Sequence, residues 1–91
     1  MQSFNLDLPW RLHPQVAVRP EPFGALLYHF GTRRLSFLKD VTLLEIVQQL
    51  RAEPSAGSAC TSAGVQQADL PRYQRALGAL ASSNMVIERR P

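Results

Sequence analysis

The chain is poor in the residues that most chemistry needs. Its one cysteine, Cys60, excludes an internal disulfide and suits a reducing, cytoplasmic setting. A nucleophilic role for Cys60 would need a partner base, and none is identifiable; a small core residue is the ordinary role of a free cysteine. The two histidines, His13 and His29, stand apart from each other and from Cys60, without metal-ligand spacing. Gly24, Gly31, Gly57, Gly64 and Gly78 are scattered, so there is no glycine-rich phosphate loop. The seven carboxylates form no recognisable acid–base pair. No apolar run approaches the ~20 residues that span a membrane, and Met1–Asp7 lacks the basic start and apolar centre of a signal peptide. The expectation is a cytoplasmic protein that is not an enzyme, takes no cofactor or metal, and has no membrane partner.

What remains is the composition of an ordinary folded protein. Hydrophobic residues make up 45% and charged residues 19% of the 91, which predicts one domain over 1–91 with an adequate but thin core. Residues 1–15 are expected to be an irregular N-terminal segment and 88–91 a frayed tail. The net charge is +3, and Lys39 is the single lysine among ten cations. Arginine forks suit carboxylate or phosphate partners better than lysine does, although a solvated surface explains the same charge.

Pro9 and Pro14 bracket Trp10, Leu12 and His13 and disfavour helix there. Val16–Arg19 reads as a strand, Pro20-Glu21-Pro22 ends it, and Gly24 permits the chain to turn back. Ala25–Phe30 is a second strand, with Leu26, Tyr28 and Phe30 on one face and Ala25, Leu27 and His29 on the other. His29 is expected to be half-exposed. Gly31-Thr32-Arg33 turns the chain into a third strand, Arg34–Leu38. Asp40 is a helix N-cap candidate for Val41 to about Ala52, whose Leu43, Ile46, Val47 and Leu50 form one stripe. Ser55–Ser58 reads as a loop or a helix start, and Ser58 to about Val65 as a short helix burying Cys60 and Ala63. Asp69 is the N-cap candidate for a last helix over 70–83, with Pro71 in its first turn and Asn84 left-handed at its end. Its stripe is Leu70, Tyr73, Leu77, Leu80 and Ala81. Met85-Val86-Ile87 is a candidate terminal strand. Segregated strands and helices predict an α+β, winged helix-turn-helix-like fold, a three-stranded antiparallel sheet followed by three helices.

Two binding readings follow. Arg72, Gln74 and Arg75 on the last helix could enter a DNA major groove, but two cations make a weak footprint and nucleic acid is the disfavoured partner. The alternative is peptide capture by strand addition at 34–38, with Phe37, Leu38, Tyr73 and Leu77 supplying side-chain pockets. Most of the helix stripe is equally explained as core.

Three runs carry a family resemblance: Trp10-Arg11-Leu12-His13-Pro14, Val16 to Ala25 with its Pro-Glu-Pro-Phe-Gly, and Tyr28-His29-Phe30-Gly31-Thr32-Arg33-Arg34-Leu35-Ser36-Phe37-Leu38. They resemble the peptide chaperones of mycofactocin biosynthesis, the MftB family. These belong with the PqqD-like recognition elements of ribosomally made, modified peptides (RiPPs). The resemblance covers most of the chain and is weakest over 53–68. It implies three strands followed by three helices. It also implies a leader peptide lying antiparallel along the third strand against the last helix, and a radical S-adenosylmethionine maturase as partner. Carried over by position, the leader site comprises Arg34, Leu35, Ser36, Phe37 and Leu38 on the strand, and Arg72, Tyr73, Ala76, Leu77 and Leu80 on the helix.

Overall fold

Period-two alternation from residue 16 to residue 38 builds the sheet. In the computed structural model, which describes residues 4–89, a short strand Trp10–Leu12 (β1) precedes Val16–Glu21 (β2), Gly24–His29 (β3) and Arg34–Leu38 (β4). β2, β3 and β4 form one antiparallel sheet in that order, with Val18 opposite Leu27 and Leu27 opposite Ser36. The fold is α+β and winged helix-turn-helix-like, as expected. β2 runs two residues further than expected, because the turn to β3 is tight and lies at Pro22-Phe23. Gly24 there adopts φ +150°, and a Cβ on it would collide with the Leu38 carbonyl of β4; only glycine lets the strands approach so closely. At the next turn it is Arg33, not Gly31, that takes the left-handed conformation, with φ 62°.

Three helices, Val41–Gln49 (α1), Ala56–Ser62 (α2) and Leu70–Ser82 (α3), follow the sheet, and Val86–Glu88 (β5) is the last element among the described residues. Asp40 caps α1 as its position predicts, accepting the amide N–H of Thr42 at 2.7 Å and of Leu43 at 3.4 Å. α1 stops at Gln49 rather than Ala52, because the Ala52 and Glu53 amides both return to the Gln49 carbonyl. α2 starts earlier than Ser58: Ser55 accepts the Ser58 N–H at 3.1 Å and so caps a helix beginning at Ala56. Asp69 makes no cap bond; it lies in a 3-10 turn, Gln67–Asp69, that leads into α3. Asn84 is left-handed, with φ 61°.

The core lies between β3 and the helices. Ala25, Leu27 and Leu38 of the sheet meet Ile46 and Val47 of α1, Leu50 just past its end, Cys60 of α2, and Leu77 of α3. Each fully buried leucine contributes about 1.5–3 kcal/mol. Burial also pushes the Cys60 thiol pKa up, as befits a packing residue.

Two parts depart from expectation. Residues 10–12 are not irregular: they pair antiparallel with β5, Arg11 opposite Ile87 and Leu12 opposite Val86. Glu88 belongs to that pair, and the Arg89 amide donates to the Pro9 carbonyl at 2.9 Å, so the described tail is tied down. The expected fraying of residues 90 and 91 lies outside the described residues. Trp10 packs on Phe4, ring centroids 4.3 Å apart, and donates to the Asn5 carbonyl.

His29 is buried at 1% exposure instead of half-exposed. Its Nδ1 accepts the Gly31 and Thr32 amides, which shapes the β3–β4 turn, and its ring lies 4.4 Å from that of His13. Desolvation, then His29 and Arg11, hold the His13 pKa below its ordinary value. The folded state therefore binds less proton than the unfolded chain around the ordinary histidine value of 6.5. This contribution to stability is present above that pH and is lost as pH falls through the lowered folded value. Thermal melts from pH 7.5 to 5 should show a decline that His13→Gln flattens; an unchanged slope would remove His13 as its source.

Candidate functional site

The orientation of the β4 backbone follows from the rest of the sheet. Phe30 donates to the Gln15 carbonyl at 2.8 Å, and these two residues continue the β2–β3 register. In an antiparallel ladder hydrogen-bonded pairs alternate. Even-numbered residues of β3 therefore bond β2, and Ala25, Leu27 and His29 turn their amides and carbonyls toward β4. Leu38 and Ser36, in register with Ala25 and Leu27, take up those bonds; at the turn the His29 carbonyl accepts the Arg33 amide at 2.7 Å. The amides and carbonyls of Leu35 and Phe37 consequently point away from the sheet, where β4 has no neighbouring strand.

That free edge borders a groove of about 310 Å³. Leu35, Ser36, Phe37 and Leu38 form one wall; Ala76, Ala79 and Leu80 of α3 and Ser83 just past its end form the other, with Leu43 of α1 between them. The small side chains at 76 and 79 keep the helix wall low. On the outer sheet face Leu26 lies opposite Phe37 and Tyr28 opposite Leu35. Leu35 and Phe37 are 59% and 60% exposed, an apolar rim of the kind found at binding sites.

One end of the groove is held by a polar tether. Tyr73 donates its hydroxyl to Asp40 Oδ2 at 2.6 Å, and Arg72 donates to the Tyr73 oxygen at 3.0 Å with its guanidinium 4.8 Å from the ring centroid. Burial pushes the Asp40 carboxyl up, but the bonds from Tyr73, Thr42 and Leu43, with Arg72 nearby, outweigh it and leave the pKa lowered. The bond to Asp40 and burial raise the Tyr73 hydroxyl.

Six of the ten expected leader-site residues thus line one groove: Leu35, Ser36, Phe37, Leu38, Ala76 and Leu80. The other four lie elsewhere. Arg34 is exposed on the strand, Arg72 and Tyr73 belong to the tether, and Leu77 is fully buried beneath α3. Leu43, Ala79 and Ser83 line the groove without having been expected there. Ala76, Leu80 and Ser83 recur at helical spacing beside the Leu77 stripe, which is the signal that could have found the helix wall; Leu43 reads only as core. The face proposed for DNA is largely engaged internally: Arg72 turns to Tyr73, and Gln74 donates to the Phe4 carbonyl at 2.5 Å.

The family model for the peptide chaperone MftB family matches residues 9–87. The chain is 61% identical over 87 residues to the peptide chaperone MftB of Mycobacterium tuberculosis, covering 96% of this chain and 80% of that one. It is 56% identical over 89 residues to that of Mycolicibacterium smegmatis, covering 98% and 87%, and 56% identical over 85 residues to that of Mycobacterium ulcerans, covering 93% and 78%. The chain belongs to the peptide chaperone MftB family. A peptide chaperone is a non-catalytic protein. No solved structure matches the chain significantly. Among the described residues no helix is long and apolar enough to cross a membrane, and no group of three or more His, Cys, Asp or Glu is placed to hold a metal.

Proposed function

We propose that this protein binds the leader of a ribosomally made precursor peptide by strand addition to β4 and presents it to a radical S-adenosylmethionine maturase in mycofactocin biosynthesis, in the cytoplasm. The observation that carries this reading is the unpaired β4 edge set beside an apolar groove. A leader laid antiparallel to β4 would bond the outward amides and carbonyls of Leu35 and Phe37. Alternate leader side chains would enter the groove against Ala76, Ala79 and Leu80, and the intervening ones would lie beside Leu35 and Phe37. Backbone bonds set register, and the groove selects apolar residues two apart.

Filling the groove tests this directly. Ala79 is exposed on α3, so Ala79→Trp should leave the fold intact and occupy the space of one leader side chain. Titration of labelled leader peptide is expected to show at least a tenfold loss of affinity. Wild-type affinity in a folded Ala79→Trp protein would rule the groove out. Titration with duplex DNA at two salt concentrations separates the winged-helix alternative, because phosphate-dominated binding weakens steeply with salt.

A further inference from the structure

We infer that an arginine-walled surface at the opposite end of α1 docks an acidic face of the peptide-modifying enzyme; this rests on the presentation role above and gives it a surface. Two hollows, of about 710 and 480 Å³, are both lined by Arg11 and Arg51. These two side chains therefore stand on the boundary between them. Alternation along the β1–β5 pair places Arg11 and Ile87 on one face and the buried Val86 on the other. Arg89, two residues after Ile87, returns to the same side and lines the larger hollow.

Among the described residues no carboxylate neutralises these arginines. The ion pairs among the described residues are Arg19 with Glu21 and Arg72 with Asp40; Glu88 lines the larger hollow yet lies within ion-pair distance of none of its arginines. Arg89 is held in place by donating to the Arg51 carbonyl at 2.9 Å and to the Glu53 carbonyl, just past the end of α1. Among the described residues, no group accepts a hydrogen bond or ion pair from the guanidinium fork of Arg11 or Arg51. Such forks fit carboxylates two bonds at a time. Ile87 in one hollow and Val16 and Val47 in the other add apolar ground between the charges. That mixture matches a protein surface in which Asp and Glu flank an apolar residue. It suits nucleic acid poorly: the cations form a compact cluster, not a track, and neither hollow is lined by Phe, Tyr or Trp on which a base could stack.

The surface shares no residue with the groove. Leu43, near the start of α1, lines the groove, and Arg51, just past its end, lines both hollows; at the helical rise they are about 12 Å apart along the chain axis. Leader and enzyme can therefore be held at once.

The test is the double variant Arg11→Glu/Arg51→Glu, titrated separately with leader peptide and with the purified maturase. Maturase affinity is expected to fall at least tenfold at low salt and to lose most of its salt dependence, with leader affinity within twofold of wild type. Arg51→Glu alone, at an exposed position, should lose several-fold and covers the case in which the double variant does not fold. Unchanged maturase affinity in folded variants would overturn the docking surface and leave presentation standing. A wild-type protein that binds leader but not the maturase would overturn both. Duplex DNA binding that disappears in the variants, with maturase affinity unmoved, would assign the arginines to nucleic acid and overturn the proposal.

Discussion

Phe37→Pro is expected to fold and lose the leader, whereas Ser36→Pro, one residue away, is expected to lose much of its stability. The difference lies in which way each amide points. Ser36 is in register with Leu27, and its N–H bonds inward to β3. Proline there removes a ladder bond and strands the carbonyl of fully buried Leu27. A net hydrogen bond of about 1 kcal/mol and an unsatisfied buried acceptor of about 1–3 kcal/mol together amount to roughly 2–4 kcal/mol. In a domain of this size that lowers the melting temperature by roughly 10–30 °C. The Phe37 amide points to open solvent at the sheet edge, where proline is tolerated. The same substitution removes a donor to the leader and puts a ring in the path of the added strand. At about 1.4 kcal/mol per tenfold, the affinity loss should reach tenfold or more. Phe37→Ala keeps the amide and reports the side chain alone. Circular dichroism melts and leader titrations on the three variants decide the matter. A Phe37→Pro protein that binds as well as Phe37→Ala would sink strand addition at this edge.

The sequence shows this sheet clearly and its closing strand pair hardly at all. Leu26, Tyr28 and Phe30 alternate with Ala25, Leu27 and His29 over six residues, and Gly24 and Gly31-Thr32-Arg33 mark the turns, so the β2–β4 sheet is a local pattern. β1 is three residues between prolines, and its partner lies at the far end of the chain; no local periodicity can announce such a pair. The burial of His29 was hidden for a related reason. A polar residue becomes a good core residue once Gly31 and Thr32 supply amides to its Nδ1, and that depends on the turn's conformation. At the groove, the strand wall follows from segment position. The helix wall is harder to read, because Tyr73 and Leu77 share the apolar stripe with Leu80 but face the core. The residues that open onto the groove are the small ones, Ala76 and Ala79, which hydrophobicity alone does not distinguish. Asp40 reads as a cap, and is one, but its second oxygen serves α3, a role that only the tertiary fold creates.

That second role makes Asp40→Ala the most destabilising surface-accessible substitution expected here. Its Oδ1 caps α1, which contributes about 0.5–2 kcal/mol; its Oδ2 takes the Tyr73 hydroxyl at 2.6 Å, a bond to a charged group of about 1.5–3 kcal/mol. The loss should be about 2–4 kcal/mol, since Arg72 still bonds the Tyr73 oxygen. Tyr73→Phe should lose the second part only. In the double variant the losses should fall short of the sum, and the shortfall measures the tether. Acid should act as the mutation does. The Asp40 pKa is lowered in the folded protein, so its contribution is present above the ordinary aspartate value of 3.8 and is lost as pH falls through the lower folded value. The Asp40→Ala protein should show less acid destabilisation in that window. Asp40 follows the end of β4 by two residues, and Tyr73 sits one turn before Ala76 on α3, so the tether also fixes the spacing of the groove walls. Leader affinity should therefore fall several-fold in Tyr73→Phe at temperatures where the protein is fully folded. If Tyr73→Phe melts earlier but binds leader as tightly as wild type, the tether holds the fold without setting the groove.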